Sequence, residues 1–246
     1  MPFFSTLADA WPTVAAAFLA STVEFVEAFT IVLAVGAVRG WRPALQGAAA
    51  AAGLLAVLVA IFGPSLARWQ SPLFQLVIGV LLLLFGLRWL CKAILRAAGV
   101  IALRNEDDEY VETEEALESG AGAFLTAFNG VLIEGLEVIF LVISMGAARH
   151  RLLPASLGAA LAAVLVLVLG LVARRPLSKI PENALKLMVG ILVSAFGTLL
   201  TAEGLGLRWP TDDAWTPVML TAAWLGIAGI GVTLARAVSG RLAARG

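Results

Sequence analysis

Two pairs of glutamates are the residues of this sequence whose type and spacing could do chemistry. Glu24 and Glu27 lie in one long apolar run, and Glu134 and Glu137 lie in another. In each pair the second glutamate follows the first by three residues, so a helix would place both carboxylates on one face, about one turn apart. An ionised carboxylate at the centre of a bilayer costs about 2.5–3.5 kcal/mol on insertion scales. Four such groups therefore need something to balance their charge.

Neighbouring bases are not expected to provide that balance. We expect no lysine or arginine at a comparable depth in the predicted spans, which leaves bound cations, shared protons or a water-filled cavity. Carboxylate oxygens suit divalent ions such as Mn²⁺, Fe²⁺, Ca²⁺ and Mg²⁺, and protons would compete with them. We therefore predict a metal site at Glu24, Glu27, Glu134 and Glu137, with proton-for-metal exchange as a hypothesis. In the alternative interpretation, the four glutamates are protonated and only join helices by hydrogen bonds, which contribute modestly in membranes.

Further oxygen donors are candidates for supporting roles around this site. Neutral side chains on the same two runs are predicted as auxiliary ligands, namely Asn129, Thr30, Thr22, Thr126 and Ser144. Acidic residues near the end of a later run and in the loop after it are predicted to form an outer vestibule that attracts cations, namely Glu203, Asp212 and Asp213.

Long apolar runs must position these residues. Of the 246 residues, 61% are hydrophobic and 14% are charged, with a mean hydropathy of +0.95, whereas roughly a quarter of a soluble domain is charged. A helix needs about 20 apolar residues to cross a bilayer, and the chain contains seven such runs. They lie near residues 13–37, 44–66, 72–95, 121–146, 152–173, 184–205 and 215–237. The sequence thus predicts an all-α integral membrane protein with seven transmembrane helices.

Basic residues collect on one side of the predicted spans. The richer side contains Arg39, Arg42, Lys92, Arg96, Arg104, Arg174, Arg175, Lys179, Arg236, Arg241 and Arg245. The positive-inside rule therefore predicts a plasma (inner) membrane protein with its N-terminus outside and its C-terminus in the cytoplasm. The net charge is zero, so no nucleic-acid partner is expected. The expected partners are a metal cation and the lipid bilayer, with a homo-oligomer as an open alternative.

The sequence also resembles itself at a nearly constant offset. The segment 23–27 matches 133–137. Each copy contains three spans, an odd number, so the second copy is predicted to be inverted relative to the first, as in many secondary transporters. Further matches, with one inserted residue after the first, pair Gly36 with Gly146, Pro43 with Pro154, Gly47 with Gly158, Gly79 with Gly190 and Phe85-Gly86 with Phe196-Gly197.

The repeat divides the chain into four parts. Residues 1–104 form the first three-helix repeat, and residues 121–207 form the second, inverted one. Residues 105–120 are an acidic cytoplasmic link, which is typical of a solvated connector; the alternative is a segment that collects metal at the inner mouth. Residues 208–246 comprise an outer loop, the seventh helix and a basic C-terminal tail.

The segment Ile133-Glu134-Gly135-Leu136-Glu137 resembles the core of the R-E-G-L-E motif of the oxidase-dependent iron permease family. That family is similar in having seven spans, an outside N-terminus and one motif in each of the first and fourth helices. The resemblance implies that the four glutamates bind iron. The motif arginine is replaced by Val23 and Ile133, and Phe25 takes the place of the glycine in the first copy. These departures argue against a ferric substrate and a ferroxidase partner.

The layout is also similar to that of the Golgi-type manganese and calcium exchanger family. Its motif, E-x-G-D-K-T/S, occurs on two inverted three-helix units. Glu27 and Glu137 stand where that family has aspartate, and the following lysine is absent here. Both resemblances imply cation transport.

These patterns predict a transmembrane divalent metal transporter, for iron or manganese first and calcium as a further candidate, with no permanently bound cofactor. One histidine and one cysteine allow no multi-histidine or thiolate site and no nucleophile constellation, so an enzyme is not expected. The alternatives are an ion-selective channel, a non-transporting membrane scaffold whose acidic link binds a partner, and an exporter of an amino acid or other small solute. The exporter would require a site of mixed charge.

Overall fold

Seven long helices make up nearly all of the described part of the protein. The computed structural model describes residues 10–68, 71–101, 111–115, 122–147, 151–173, 182–209 and 215–243, and these residues contain no strand. The long helices are α1 (Trp11–Arg39), α2 (Trp41–Arg68), α3 (Pro72–Ala97), α4 (Ala123–Ala147), α5 (Leu152–Ala173), α6 (Glu182–Gly204) and α7 (Trp215–Ala243). Each is long and apolar enough to cross a membrane. The prediction of an all-α, membrane-embedded protein with seven spans is confirmed.

Local sequence signals set the ends of several helices. The Ser71 side chain accepts a hydrogen bond from the Phe74 backbone N–H at 3.2 Å, directly before Pro72 at the start of α3, where proline loses no helical hydrogen bond. At the end of α1, Gly40 has a φ of 97° and donates its N–H to the Gly36 carbonyl at 3.1 Å. Because a side chain disfavours this φ, glycine permits the sharp turn from which α2 starts one residue later.

The helices are unequally buried. In the most apolar windows of α1 and α6, 56% and 61% of residues are buried, whereas only 6% are buried in α7. α1 packs against α4 and α5, α4 packs against α1 and α2, and α3 packs most extensively against α6. α7 lies beside α3 and α6. The centre of the bundle is therefore formed by α1, α4, α3 and α6, and α7 is peripheral.

Equivalent positions of the two repeats make equivalent contacts. A Cβ at Gly47 on α2 would lie 3.0 Å from the backbone nitrogen of Phe128 and 3.1 Å from the Cβ of Ala127 on α4. At Gly158 on α5, the same distances separate a Cβ from the nitrogen of Phe18 and the Cβ of Ala17 on α1. These partners are themselves equivalent in the alignment of the two copies, which is the pattern expected of copies related by a twofold axis. The predicted domain boundaries, including those of the link at 105–120, remain predictions.

The crossing of α3 and α6 is reciprocal in the same way. A Cβ at Gly86 would lie 2.6 Å from the nitrogen of Ser194, and a Cβ at Gly197 would lie 2.5 Å from the nitrogen of Leu83. In the alignment of the two copies, Gly197 is equivalent to Gly86 and Ser194 is equivalent to Leu83. Glycine is required at both positions because the two backbones touch there. The pseudo-twofold axis therefore passes through this crossing.

The bundle has two ends that differ in charge. We call the end at which α1, α3, α5 and α7 finish the basic end, because Arg39, Arg42, Arg96 and Arg236 lie there. The Arg236 side chain donates a hydrogen bond to the Ala97 carbonyl at 2.7 Å, which joins α7 to the last residue of α3. The other end, where α1 begins at Trp11, is called the far end.

Candidate metal-binding site

Three carboxylates meet where α1 crosses α4, near the middle of both helices. One oxygen each of Glu24, Glu27 and Glu134 lies within 4.8 Å of the other two; we call these three residues the glutamate cluster. Glu24 is only 1% exposed, and its Oε1 is buried without a hydrogen-bond partner among the described residues. Three acceptor groups converging on one point, one of them unsatisfied, form a donor set that a hard or borderline divalent cation could occupy.

Small residues and matched side chains allow α1 and α4 to approach at this point. A Cβ at Gly130 on α4 would lie 2.8 Å from Cγ2 of Ile31 on α1, so a side chain there would require Ile31 to move. Next to the cluster, Gly135 accommodates the side chain of Leu55 from α2. At the equivalent position of the first repeat, the large Phe25 packs against a small apolar cluster that includes Val166 of α5, the equivalent of Leu55. The glycine of the motif is thus replaced together with its packing partner.

A cavity of about 170 Å³ adjoins the glutamate cluster on the side of the basic end. Its acidic lining consists of Glu27, Glu134 and Glu137, and its aromatic lining consists of Phe85 and Trp89. Its basic lining consists of Arg88, Lys92, Arg96 and Lys186. We call it the basic cavity. Glu137 lies in the wall of this cavity and is not part of the three-carboxylate cluster.

The expectation that no base would lie at the depth of the glutamates is wrong. The Lys186 ammonium forms an ion pair with Oε1 of Glu27, and these side chains are only 12% and 13% exposed. The backbone of Lys186 lies near the start of α6, at the basic end of the bundle. Its long flexible side chain carries the charge toward the middle of the bundle. Arg88 of α3 also lines the basic cavity.

Sequence reasoning also missed the alignment of the bases on α3. Arg88, Lys92 and Arg96 follow one another at intervals of four residues, which places them on one face of a helix. All three line the same cavity. The spacing could be recognised in the sequence, but the direction in which this basic face points depends on how α3 packs against α6.

None of the five predicted auxiliary ligands lines the basic cavity. The Thr22 hydroxyl donates to the Phe18 carbonyl at 2.7 Å, and the Thr126 hydroxyl donates to the Gly122 carbonyl at 3.2 Å. Asn129 is exposed, and Thr30 is fully buried. Ser144 is also fully buried, and its hydroxyl lacks a hydrogen-bond partner among the described residues.

The predicted outer vestibule is described only in part. Glu203 lies half-buried near the far end of α6 and does not line the basic cavity. Asp212 and Asp213 lie outside the described residues.

Packed apolar side chains occupy the space between the glutamate cluster and the far end. They belong to one continuous core to which α1, α4 and α6 contribute. The members on this side are at most 1% exposed: Ala16, Ala20, Leu141, Met145, Phe196, Leu199 and Leu200. The glutamate cluster thus adjoins a charged cavity toward one end and a packed, mainly apolar core toward the other.

Comparisons with known proteins give no relative for this arrangement. A scan against family models, a search of curated proteins and a search of solved structures each returned no match to the chain. The geometry of the site and the resemblances in its motifs therefore carry the functional argument.

Proposed function

We propose that this protein carries a divalent metal cation across the membrane, with Fe²⁺ or Mn²⁺ as the leading ions and Ca²⁺ as a further candidate. The observation that carries the proposal is the buried, unpartnered Oε1 of Glu24, within 4.8 Å of carboxylate oxygens of Glu27 and Glu134. The ion pair described for the cluster joins Lys186 to Glu27 and leaves this oxygen of Glu24 unsatisfied. A divalent cation would supply the partner that this oxygen lacks.

The surroundings of the cluster support transport rather than permanent binding. The basic cavity brings water-sized space to the glutamates from one end, while apolar side chains separate them from the other end. A midplane site open to one side, in a chain with inverted repeats, suits a carrier that alternates its access. We further propose, from the positive-inside rule, that the basic end faces the cytoplasm and the N-terminus lies outside the plasma (inner) membrane.

The test is cation flux into proteoliposomes that contain the purified protein. An internal dye would report Fe²⁺, Mn²⁺, Ca²⁺ and Mg²⁺ in turn, with and without a pH gradient. In the double variant Glu24→Gln/Glu134→Gln, shape is kept while two formal charges are removed, so we expect flux to fall to the protein-free background. Loss of two charge-assisted contacts of about 1.5–3 kcal/mol each corresponds to more than a hundredfold.

Glu112→Gln is the matched control. Glu112 is an exposed residue of the short helical segment 111–115 and belongs neither to the glutamate cluster nor to the lining of the basic cavity, so the same chemical change there should leave flux at the wild-type level. Equal flux in wild type and the double variant would move the site elsewhere. No flux of any ion by the wild type would favour the membrane scaffold.

A second candidate is an exporter of an amino acid or other small solute that carries both charges. It is favoured by the mixed lining of the basic cavity, where Arg88, Lys92 and Lys186 lie beside Glu134 and Glu137. The same proteoliposomes loaded with labelled amino acids distinguish the two functions. Efflux of a zwitterion that survives chelation of all divalent metal would support the exporter and contradict the metal carrier.

A further inference from the structure

The ion pair between Lys186 and Glu27 places a cation of the protein itself at the site proposed for a metal. The Lys186 ammonium contacts Oε1 of Glu27, and an oxygen of Glu27 is also among the three that converge in the glutamate cluster. Both side chains are almost nine-tenths buried, so water screens their charges weakly. A buried ion pair of this kind is costly to break on one side only.

The two repeats differ at this position. The alignment that pairs the reciprocal glycines of α3 and α6 also pairs Lys186 with Gln75. The partner of Lys186, Glu27, corresponds to Glu137. The first repeat thus offers a neutral amide where the second offers an ammonium. Lys186 therefore places a positive charge on the basic-end side of the site, whereas its equivalent in the first repeat, Gln75, carries no charge.

Lys186 and a bound divalent ion would compete for Glu27. An ammonium and a metal ion within about 4 Å of each other repel strongly, because the protein interior screens their charges far less than water does. The ammonium must therefore withdraw when the metal engages Glu27, and its return favours departure of the metal. Because Lys186 lines the basic cavity, its return would act on the side from which that cavity is open.

We propose that Lys186 is a resident counter-cation that competes with the transported metal for Glu27 and accelerates its release toward the basic end. The inference rests on the proposed function and adds to it the residue that sets affinity and direction of release. It predicts that removing the ammonium makes the protein hold metal more tightly and release it more slowly.

The test is Mn²⁺ binding to the purified full-length protein in lipid nanodiscs, by equilibrium dialysis, together with release into excess chelator. For Lys186→Gln, which installs the residue found at position 75, we expect binding about tenfold tighter and release slower by a similar factor, in line with coupling energies of close charge pairs. Lys186→Arg keeps the charge and should remain near wild type. Arg42→Gln, which removes an exposed positive charge at the basic end outside the cavity, should also leave both values unchanged.

A double-mutant comparison keeps the proposal testable if Lys186→Gln alone fails to fold. Lys186→Gln leaves Glu27 buried without its ammonium, whereas Glu27→Gln/Lys186→Gln replaces the pair by two neutral amides. If Lys186 acts by occupying Glu27, the double variant binds Mn²⁺ with the same affinity as Glu27→Gln alone. An equal gain from Lys186→Gln in both backgrounds would overturn the proposal, because the lysine would then act only through its general charge.

The outcomes separate this inference from the proposed function. Wild-type protein that binds no Mn²⁺ would defeat both. Wild-type binding that is unchanged or weakened by Lys186→Gln would leave the metal site standing and reject competition by Lys186.

Discussion

The two ends of the bundle share their helix crossings but present different side chains to the glutamates. Toward the basic end, α3 contributes Arg88 and Lys92 to a charged cavity. Their equivalents on α6, in the alignment of the two copies, are Leu199 and Glu203. Leu199 is 1% exposed within the apolar core, and Glu203 lies half-buried near the far end.

This difference separates the backbone contacts that the fold requires from the side chains that surround the site. The backbone contacts are reciprocal because glycines fix how closely helices approach, as at Gly47 and Gly158. The side chains that face the site are free to diverge, since they do not determine those contacts. A symmetric frame can therefore surround an asymmetric site, with a charged cavity toward one end and an apolar core toward the other.

The largest expected contrast is in the chemical accessibility of equivalent positions. Cys91 is the only cysteine of the chain, so Cys91→Ser provides a background free of thiols. In that background Arg88→Cys should react readily with a hydrophilic maleimide, and Leu199→Cys should be protected, because the first lines a cavity and the second lies in packed core. Mass spectrometry of the intact protein measures both.

The same pair of variants tests orientation. In sealed vesicles of known sidedness, a membrane-impermeant maleimide should reach residue 88 only from the cytoplasmic side. Equal labelling of both positions would show that the far half is open as well, and labelling of residue 88 from outside would reverse the proposed topology.

A smaller effect is expected from substitutions that test the symmetric part of the comparison. Gly86→Ala and Gly197→Ala place a Cβ 2.6 Å and 2.5 Å, respectively, from backbone nitrogen of the opposing helix, and overpacking of this kind costs roughly 1–3 kcal/mol. Both should lower the thermal unfolding midpoint by similar amounts. Gly53→Ala is the control, since no atom of the described residues lies within 4 Å of a Cβ there. A large loss for one crossing glycine and none for the other would break the proposed equivalence.

The smallest expected effect concerns the charges near the two ends of the bundle. Lys92 and Glu203 occupy equivalent positions with opposite charge. Lys92→Gln should raise the initial rate of cation uptake through the basic end, and Glu203→Gln should lower the rate of uptake through the far end. Each change should be roughly two- to threefold at low ionic strength. Screening by about 1 M salt should abolish both effects. Changes that persist at high salt would point to direct ligation instead.

The helices could be predicted from the sequence because span length and apolarity are properties of a continuous segment. The first span was predicted at 13–37 and extends over Trp11–Arg39; the sixth was predicted at 184–205 and extends over Glu182–Gly204. Three of the four residues of the predicted metal site, Glu24, Glu27 and Glu134, lie close together where α1 crosses α4. Whether the three carboxylates bind a metal stays a prediction.

The surroundings of the site could not be predicted in the same way, because they depend on how far side chains reach and which way helices face. Counting residues along α6 places Lys186 near the membrane surface, but its stem carries the charge to Glu27. Asn129 precedes Glu134 by five residues, which turns it about 140° around the helix, and it is exposed. Neighbours in sequence are therefore poor guides to neighbours in a site.

The crossing of α3 and α6 has a mechanical consequence. The third helix carries two glycines, Gly79 and Gly86, the sixth carries three, Gly190, Gly197 and Gly204, and each of the five fits against the backbone of the opposing helix. A slide by one helical turn, about 5.4 Å, would drive bulky residues against all five of these glycine contacts at once. The pair can rock or swivel about its contact but cannot travel along it. The crossing is thus a fulcrum, and any motion that exchanges the open and closed ends would be a tilt of α1, α2, α4 and α5 about it.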